Sequence, residues 1–153
     1  MTENLTFRRA RREDLAALVD LLHDDEMGRT REDNTRPIRR EYVEAFDAIL
    51  RDGNQFQLVV ESAGQVVGTM QISIIPGLAR LGARRGQLEG VRVHNAHRGT
   101  GVGQRMFEWA IQYCRERGCY LVQLTTDKTR TDAHRFYERL GFAASHEGYK
   151  LIL

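Results

Sequence analysis

The residues best suited to do chemistry lie between Val91 and Gly103, where the chain reads V-R-V-H-N-A-H-R-G-T-G-V-G. Gly99, Gly101 and Gly103 alternate with other residues at the end of this segment. Because they lack side chains, several backbone N–H groups can converge on one anion, and the predicted following helix points its positive dipole end at it. Arg98 adds a permanent charge at the entrance. The segment therefore predicts a turn that binds pyrophosphate.

Two other glycine-rich phosphate sites do not fit this spacing. A Rossmann dinucleotide site requires G-x-G-x-x-G, and counting from Gly99 places Gln104 at the third glycine. Counting from Gly101 places Met106 there. A Walker loop fails as well, because the chain has no Gly-Lys-Ser/Thr.

Two blocks carry a resemblance to a known family. The stretch R-G-T-G-V-G at 98–103 resembles the Arg/Gln-x-x-Gly-x-Gly/Ala signature of the GNAT superfamily of acetyl-CoA-dependent N-acetyltransferases. The stretch A-H-R-F-Y-E-R-L-G-F at 133–142 is similar to that family's Ala-x-x-x-Tyr-Glu-Lys-Leu-Gly-Phe segment. A weaker resemblance covers nearly the whole chain. One position departs from the pattern: Arg130 stands where the family often has an Asn that contacts the pantetheine arm.

The resemblance implies acetyl-CoA as co-substrate, with its pantetheine arm paired to the central strand like another strand. It also implies that the strands flanking the glycine-turn helix splay apart where the arm enters. A backbone N–H of Val91 or Val93 would then stabilise the thioester oxygen. The cofactor-binding residues implied are Val91, Arg92, Val93, Arg98, Gly99, Thr100, Gly101, Val102, Gly103 and Tyr137.

Glu89 is the candidate general base. An alkyl amine titrates near pH ~10, so at neutral pH a group that removes its proton assists attack on the thioester. Strand alternation in Q-L-E-G-V-R-V predicts that Glu89 shares a face with Val91 and Val93. In several enzymes of the resembling family an acid at a similar place removes this proton. Two alternatives remain open: a glutamate that is solvated or paired with an arginine such as Arg92, and water as the base.

Tyr137 is the candidate general acid, because a phenol can return a proton to the departing thiolate. The resemblance places the equivalent tyrosine close to the thioester. The alternative is a buried tyrosine that packs beside Phe136. The resemblance also assigns the loop that contains His23 to the acceptor pocket, where the acids at 24–26 would attract a cationic amine.

Composition limits the other classes of function. A chain of 153 residues suits one domain, 1–153, and its net charge is +2. It has no apolar run of about 18 residues and no signal-peptide stretch near its N-terminus, so we expect a cytoplasmic protein without membrane spans. Glu13 and Asp14 interrupt the arginines at 8–12, which argues against nucleic-acid binding. The histidines and cysteines lack the spacing of a metal site, and Cys114 and Cys119 are predicted to be free thiols.

The hydrophobic pattern predicts an α/β (α+β) fold: a mixed, mostly antiparallel twisted sheet of six to seven strands, with helices on both faces. This is also the GNAT architecture. Loops are predicted over His23–Pro37, as a mobile segment, and over Pro76–Gly86. Helices are predicted from Glu13 onward, over Arg39–Arg51, from the glycine turn to Gly118, and over Thr131–Leu140. Strands are predicted over Leu5–Ala10, Gln55–Glu61, Val66–Ile75, Gln87–His94, Cys119–Thr126 and Gly148–Leu153.

The sequence thus predicts an N-acetyltransferase that moves acetyl directly from acetyl-CoA to a primary amine of a small molecule or peptide, in a ternary complex. Neither a metal, a nucleic acid nor a membrane is expected to take part, and the resemblance makes a homodimer a common state. The alternative is a non-catalytic acyl-CoA-binding sensor or interaction domain. The acceptor, and the choice between acetyl and longer acyl donors, are left open by the sequence.

Overall fold

The computed structural model describes residues 4–153; residues 1–3, part of the N-terminal stretch searched for a leader, lie outside the described residues. The strands form one five-stranded sheet. They are β1 (Leu5–Arg9), β2 (Gln55–Ser62), β3 (Gln65–Ile75), β4 (Arg84–Val93) and β5 (Cys119–Leu124). The helices are α1 (Leu15–His23), α2 (Glu26–Arg31), α3 (Arg40–Arg51), α4 (Ala79–Gly82), α5 (Val102–Glu116) and α6 (Thr131–Arg139).

The strands follow one another in chain order across the sheet, from β1 to β5. The first three pairings are antiparallel and the last, between β4 and β5, is parallel. This confirms the predicted mixed, mostly antiparallel sheet. None of the helices in residues 4–153 is long and apolar enough to cross a membrane.

The sheet has fewer strands than the six to seven predicted, because Gly148–Leu153 is not a strand. Its side chains are exposed, and no neighbouring strand completes its hydrogen bonds within the described residues. Alternation of side chains shows which segments can be extended, but a strand forms only where a partner is present.

The two predicted loops also contain regular structure. Within His23–Pro37 the chain forms α2, whose first turn is capped by the Asp25 side chain accepting a hydrogen bond from Gly28 N. So short a helix shows no periodicity in sequence. In the second loop β4 begins already at Arg84. Gly86, inside this strand, lies against α5, where a Cβ would clash with Cys114 Sγ. This glycine marks close packing, not a turn.

The larger core lies between the sheet and α5. Its fully buried side chains include Leu58, Met70, Ile72, Leu88, Met106 and Phe107. Trp109 packs against this core and stacks on Tyr113 with ring centres 5.3 Å apart. Cys114 and Cys119 are free thiols, as predicted. Burial raises the pKa of Cys114 to about 12, so this thiol is not a nucleophile at neutral pH.

A smaller core lies on the opposite face, where α1 and α3 cover β2 through Leu18, Phe46 and Val59. At its edge Asp14, which is 5% exposed, accepts two hydrogen bonds of 2.8 Å from the Arg8 guanidinium. Arg8 also contacts Glu61 of β2. These ion pairs join the start of α1 to β1 and β2. The hydrogen bond from Arg8 lowers the pKa of Asp14 below its ordinary value.

Asp14→Asn is expected to lower the free energy of unfolding by about 3 kcal/mol, because it leaves a half-buried guanidinium without its main partner. Urea unfolding at neutral pH measures this loss. Since the folded-state pKa of Asp14 is lowered, the stabilisation is present above about pH 4 and disappears as the pH falls through that pKa.

The control is Glu13→Gln, because Glu13 is exposed and its ion pair with Arg11 is long, at 4.0 Å. Its removal should change stability by no more than about 0.5 kcal/mol. Equal losses in the two variants would contradict this role of Asp14.

Candidate active site

The glycine turn has the conformation that the sequence predicts. After β4 the chain makes a 3₁₀ turn at Asn95–His97, and Gly99 (φ 76°) and Gly101 (φ 91°) then take left-handed conformations that favour glycine. Arg105 N donates to Gly101 O at 3.1 Å. The N–H groups of residues 102–104 therefore precede the first i to i−4 hydrogen bond of α5 and point out of its N-terminus. Such an arrangement favours an anion.

Gly103 differs from the other two glycines of the turn. It lies in the first turn of α5, and its φ is not positive. A Cβ built there would make ordinary contacts, 3.8 Å from Phe136 and 3.9 Å from Val93. The turn itself therefore requires glycine at 99 and 101 but not at 103.

Arg98 ties the turn to the loop after α1. Its guanidinium donates to Val93 O at 3.0 Å and to Asp24 O at 2.7 Å. The Asp24 carboxylate in turn accepts a hydrogen bond from Asn95 N at 3.2 Å. The charge predicted at the entrance of the turn is thus present, and it is held in place by the backbone around it.

A gap opens between β4 and β5 immediately before this turn. The two strands pair only as far as Leu88 and Leu124. On the other side of β4, His94 N donates to Val67 O of β3 at 2.8 Å. Because successive residues of a strand direct their N–H and C=O groups in opposite directions, those of Val91 and Val93 face the gap. This is the splayed edge that the resemblance implies.

A bulge at Gly90 (φ 58°) corrects one prediction about Glu89. Gln71 opposes Glu89, but Thr69 opposes Arg92, so β4 holds one extra residue here. Val91 and Val93 consequently pack with the α5 core, whereas Glu89 lies on the α1 side of the sheet. The prediction that Glu89 shares a face with these valines is wrong, because alternation cannot register a bulge. Glu89 is exposed, and it is the first residue of β4 beyond the pairing with β5.

Polar side chains cross the open part of the sheet on the same side as Glu89. Gln123 Nε2 donates to Gln87 Oε1 at 2.7 Å, joining β5 to β4. Gln71 Nε2 and Ser73 Oγ both donate to Gln55 Oε1, at 2.9 and 2.7 Å. We call these amide and hydroxyl side chains the amide row. The sequence analysis did not identify them, because alternation alone does not show which face of a sheet stays uncovered.

Tyr137 lies on α6 among the rings of Phe107, Phe136 and Phe142, with centres 5.6 to 6.2 Å away. Burial raises the pKa of its phenol above the ordinary value, while the charges of Arg130 and Arg92 act in the opposite direction. The phenol is therefore protonated at neutral pH.

The acids after α1 already have partners. Asp25 Oδ2 lies 3.1 Å from Arg92 Nε, and Asp24 is paired with Arg98. These pairs partly offset the charges of Asp24 and Asp25, and attraction of a cationic amine by the acids at 24–26 stays a prediction. His23 does line a cavity of about 360 Å³, together with Asp24 and with His94 at the end of β4.

Thr126 is a residue that the sequence analysis missed. It follows β5, on the far side of the gap, and its Oγ1 is buried without a hydrogen-bond partner among residues 4–153. Leaving a buried hydroxyl unpaired costs about 1–3 kcal/mol, so such a group favours binding of a ligand or a water molecule.

Arg130, at the position of the family's usual Asn, precedes α6 and is exposed. Within the described chain, no group of three His, Cys, Asp or Glu residues could hold a metal ion.

Comparisons with known proteins agree with this geometry. A model of the acetyltransferase (GNAT) family matches residues 15–142. The chain is 31% identical to the aminoalkylphosphonate N-acetyltransferase of Salmonella typhimurium over 105 residues, which cover 69% of this chain and 68% of that protein. It is 32% identical to the glucosamine 6-phosphate N-acetyltransferase of Trypanosoma brucei brucei over 93 residues, 61% of each chain.

A solved structure is similar over nearly the whole length. The crystal structure of a transcriptional regulator from Bacillus halodurans C-125 has a TM-score of 0.95 and 46% identity, covering 98% of this chain and 100% of that one. The fold therefore recurs in full in a second protein, while the chain spans about three fifths of the trypanosomal relative.

Gly101→Ala is expected to weaken CoA binding about tenfold or more, because an alanine at φ 91° is strained and the turn must move. Gly103→Ala is the matched control, since a Cβ fits there. Titration calorimetry with CoA compares the two variants. If Gly101→Ala bound CoA as tightly as Gly103→Ala, the turn would not be the anion site.

Proposed function

Because the chain belongs to the acetyltransferase (GNAT) family, we propose that it is an N-acetyltransferase that moves the acetyl group of acetyl-CoA to a primary amine. The observation that carries the proposal is the continuity of the gap with the glycine turn. Main-chain groups of Val91 and Val93 face the gap, and the unpaired N–H groups at the start of α5 follow directly along the chain. One elongated ligand with a phosphate end and an amide-bearing arm fits both.

CoA has this form. Its pyrophosphate would be held by the N–H groups of residues 102–104, and its pantetheine amides would pair with Val91 and Val93 as an added strand. The buried Thr126 hydroxyl would supply a further hydrogen bond from the β5 side. This orientation sends the thioester toward the end of the gap at Glu89, away from the turn.

In the proposed reaction the acceptor and acetyl-CoA are bound together. Glu89, directly or through water, takes a proton from the ammonium group, and the free amine attacks the thioester carbon. An N–H group of Val91 or Val93 stabilises the negative oxygen of the tetrahedral intermediate. The C–S bond then breaks and Tyr137 protonates the thiolate. The second amine proton restores the Tyr137 phenol through solvent, and Glu89 releases the first proton to solvent. The products are the N-acetylated amine and CoA.

The acceptor would approach over the amide row, since this is the open surface beside Glu89. Amides and hydroxyls donate and accept hydrogen bonds, so they suit a polar amine. The two curated relatives are named for small-molecule amines, which favours a small molecule over a peptide. A cytoplasmic location, a homodimer and the lack of a metal, nucleic-acid or membrane partner remain predictions from the sequence.

Tyr137→Phe is expected to lower kcat about a hundredfold, because it keeps the ring and removes the proton donor. Release of CoA thiol in the presence of a panel of amines measures the rate. Since burial raises the pKa of Tyr137 above its ordinary 10.0, wild-type kcat should not fall through loss of this proton below pH about 10.

The control is Tyr113→Phe, which alters another tyrosine whose pKa burial raises, but on α5 beside Trp109. It should leave kcat unchanged. Full activity in Tyr137→Phe would assign the proton to water. A wild-type chain that binds CoA but releases no thiol with any amine would favour the sensor alternative.

Glu89→Gln is expected to lower kcat/KM about a hundredfold at pH 7 and progressively less toward the pKa of the amine, where the acceptor deprotonates without help. A pH profile of thiol release tests this. Glu108→Gln, at an exposed position of α5, is the control and should follow the wild-type profile. A Glu89→Gln profile parallel to wild type would remove this residue from the mechanism.

A further inference from the structure

Arg92 is a largely buried charge whose side chain has no part in the proposed reaction. After the bulge in β4, Arg92 stands between Val91 and Val93, whose side chains pack with the α5 core. Its own side chain therefore lies on the other side of β4, the side of Glu89. Only 15% of this side chain is exposed. A charge removed so far from water is costly unless other groups compensate it, so its contacts indicate its role.

The guanidinium of Arg92 has more donors than the described chain uses. It carries N–H groups on Nε, Nη1 and Nη2. Nη1 donates a hydrogen bond to Val91 O at 2.9 Å. Nε lies 3.1 Å from Asp25 Oδ2, but this ionic contact is not aligned as a hydrogen bond, and the buried Nε has no hydrogen-bond partner among residues 4–153. Nη2 makes no hydrogen bond to the same residues. Part of the charged fork is therefore left for a ligand.

The guanidinium lies at the gap between β4 and β5. Its Nη1 donates to Val91 O, and the main-chain groups of Val91 face this gap. Glu89 precedes Arg92 by three residues on the same side of β4. At a rise of about 3.3 Å per residue, their Cα atoms are at most about 10 Å apart. Glu89 and Arg92 form no ion pair within the described residues, because the ionic partner of Arg92 is Asp25. Both charges thus remain available to one ligand.

Asp25 holds the guanidinium in a fixed orientation. Both oxygens of its carboxylate are engaged: Oδ1 accepts a hydrogen bond from Gly28 N and caps α2, while Oδ2 contacts Nε of Arg92. One edge of the guanidinium is held in this way, so the rest of the fork has a defined direction. A planar fork of N–H donors matches the paired oxygens of a carboxylate or a phosphate.

The charges on this side of the sheet complement an acceptor that carries both signs. Alternation along β4 places Arg85, Glu89 and Arg92 on the side of the amide row, which is itself neutral. Glu89 suits an ammonium group, and Arg92 suits an anion a few bonds away from it. An amine without an anion would leave the free donors of Arg92 unpaired when it excludes water from them, which weakens its binding.

We propose that the acceptor is an amine that carries an anionic group, a carboxylate or a phosphate, and that Arg92 binds this group while Glu89 receives the ammonium. The proposal rests on the proposed function and narrows its acceptor from primary amines in general to amines with an anion a few bonds away. In this role Arg92 selects and orients the acceptor and transfers no proton.

Matched pairs of amines test this selection in thiol release. Phosphoethanolamine is compared with ethanolamine, and β-alanine with its neutral amide, and each rate is corrected for the fraction of free amine. In the wild-type chain, kcat/KM should be about tenfold to a hundredfold higher for the anionic member of at least one pair, the gain expected from charge-assisted hydrogen bonds. The pair that shows the larger ratio distinguishes phosphate from carboxylate.

Substitutions of Arg92 assign the preference to its side chain. Arg92→Gln should bring the ratio of kcat/KM within each pair to about one, mainly by raising KM for the anionic member. Arg92→Lys keeps the charge without the fork, so it should give an intermediate ratio. Arg85→Gln is the matched control, because Arg85 is an exposed arginine on the same side of β4, and it should keep the full preference. Circular dichroism confirms that the variants are folded.

Binding without turnover separates this proposal from acetyl transfer itself. Phosphoethanolamine and β-alanine are titrated by calorimetry into the complex with CoA, and at least one should bind wild type about tenfold or more tightly than Arg92→Gln. Such binding in a chain that releases no thiol with any amine would contradict acetyl transfer and support the role of Arg92.

Three results would overturn the role of Arg92. The first is thiol release at equal kcat/KM for both members of each pair. The second is a preference for the anionic member that persists in folded Arg92→Gln. The third is equal binding of both anionic amines, or no binding, in wild type and Arg92→Gln.

Discussion

The parting of β4 from β5 is the constraint on which the rest of the site depends. Up to Leu88 the main-chain groups of β4 are satisfied on both sides. Beyond it the N–H groups of Val91 and Val93 face the gap, while their C=O groups accept hydrogen bonds from Arg92 and Arg98. Exposed strand groups of this kind are a liability unless something pairs with them. Here the same strand leads directly into a helix N-terminus whose N–H groups are also unpaired, so one ligand can satisfy both sets.

Two arginines hold this arrangement. Arg92 reaches from β4 to Asp25, the cap of α2, and Arg98 joins the end of β4 to Asp24. The segment between α1 and α2, which borders the cavity at His23, is therefore fastened to the strand that would carry the cofactor. This connection gives a physical reason for two neighbouring acids in that segment other than attraction of a cationic substrate.

Sequence reasoning predicted those parts of the fold that local chemistry determines. The glycines of the turn, the helix that follows it, and strands close to β2 and β3 were all predicted, because turn chemistry and periodicity depend on neighbouring residues. The predictions that were wrong concern residues whose conformation depends on partners distant in the sequence. The bulge at Gly90 turns Glu89 to the other face, Gly86 packs under Cys114, and the segment at 148–153 lacks a strand partner within its own chain. Thr126 was missed because burial of its hydroxyl arises only from the fold.

The most direct measurement is a crystal structure of the chain with CoA bound. We expect pyrophosphate oxygens within hydrogen-bonding distance of the N–H groups at the start of α5, and pantetheine amides paired with Val91 and Val93 in the gap. CoA bound elsewhere on the molecule, or an empty turn at saturating CoA, would contradict it.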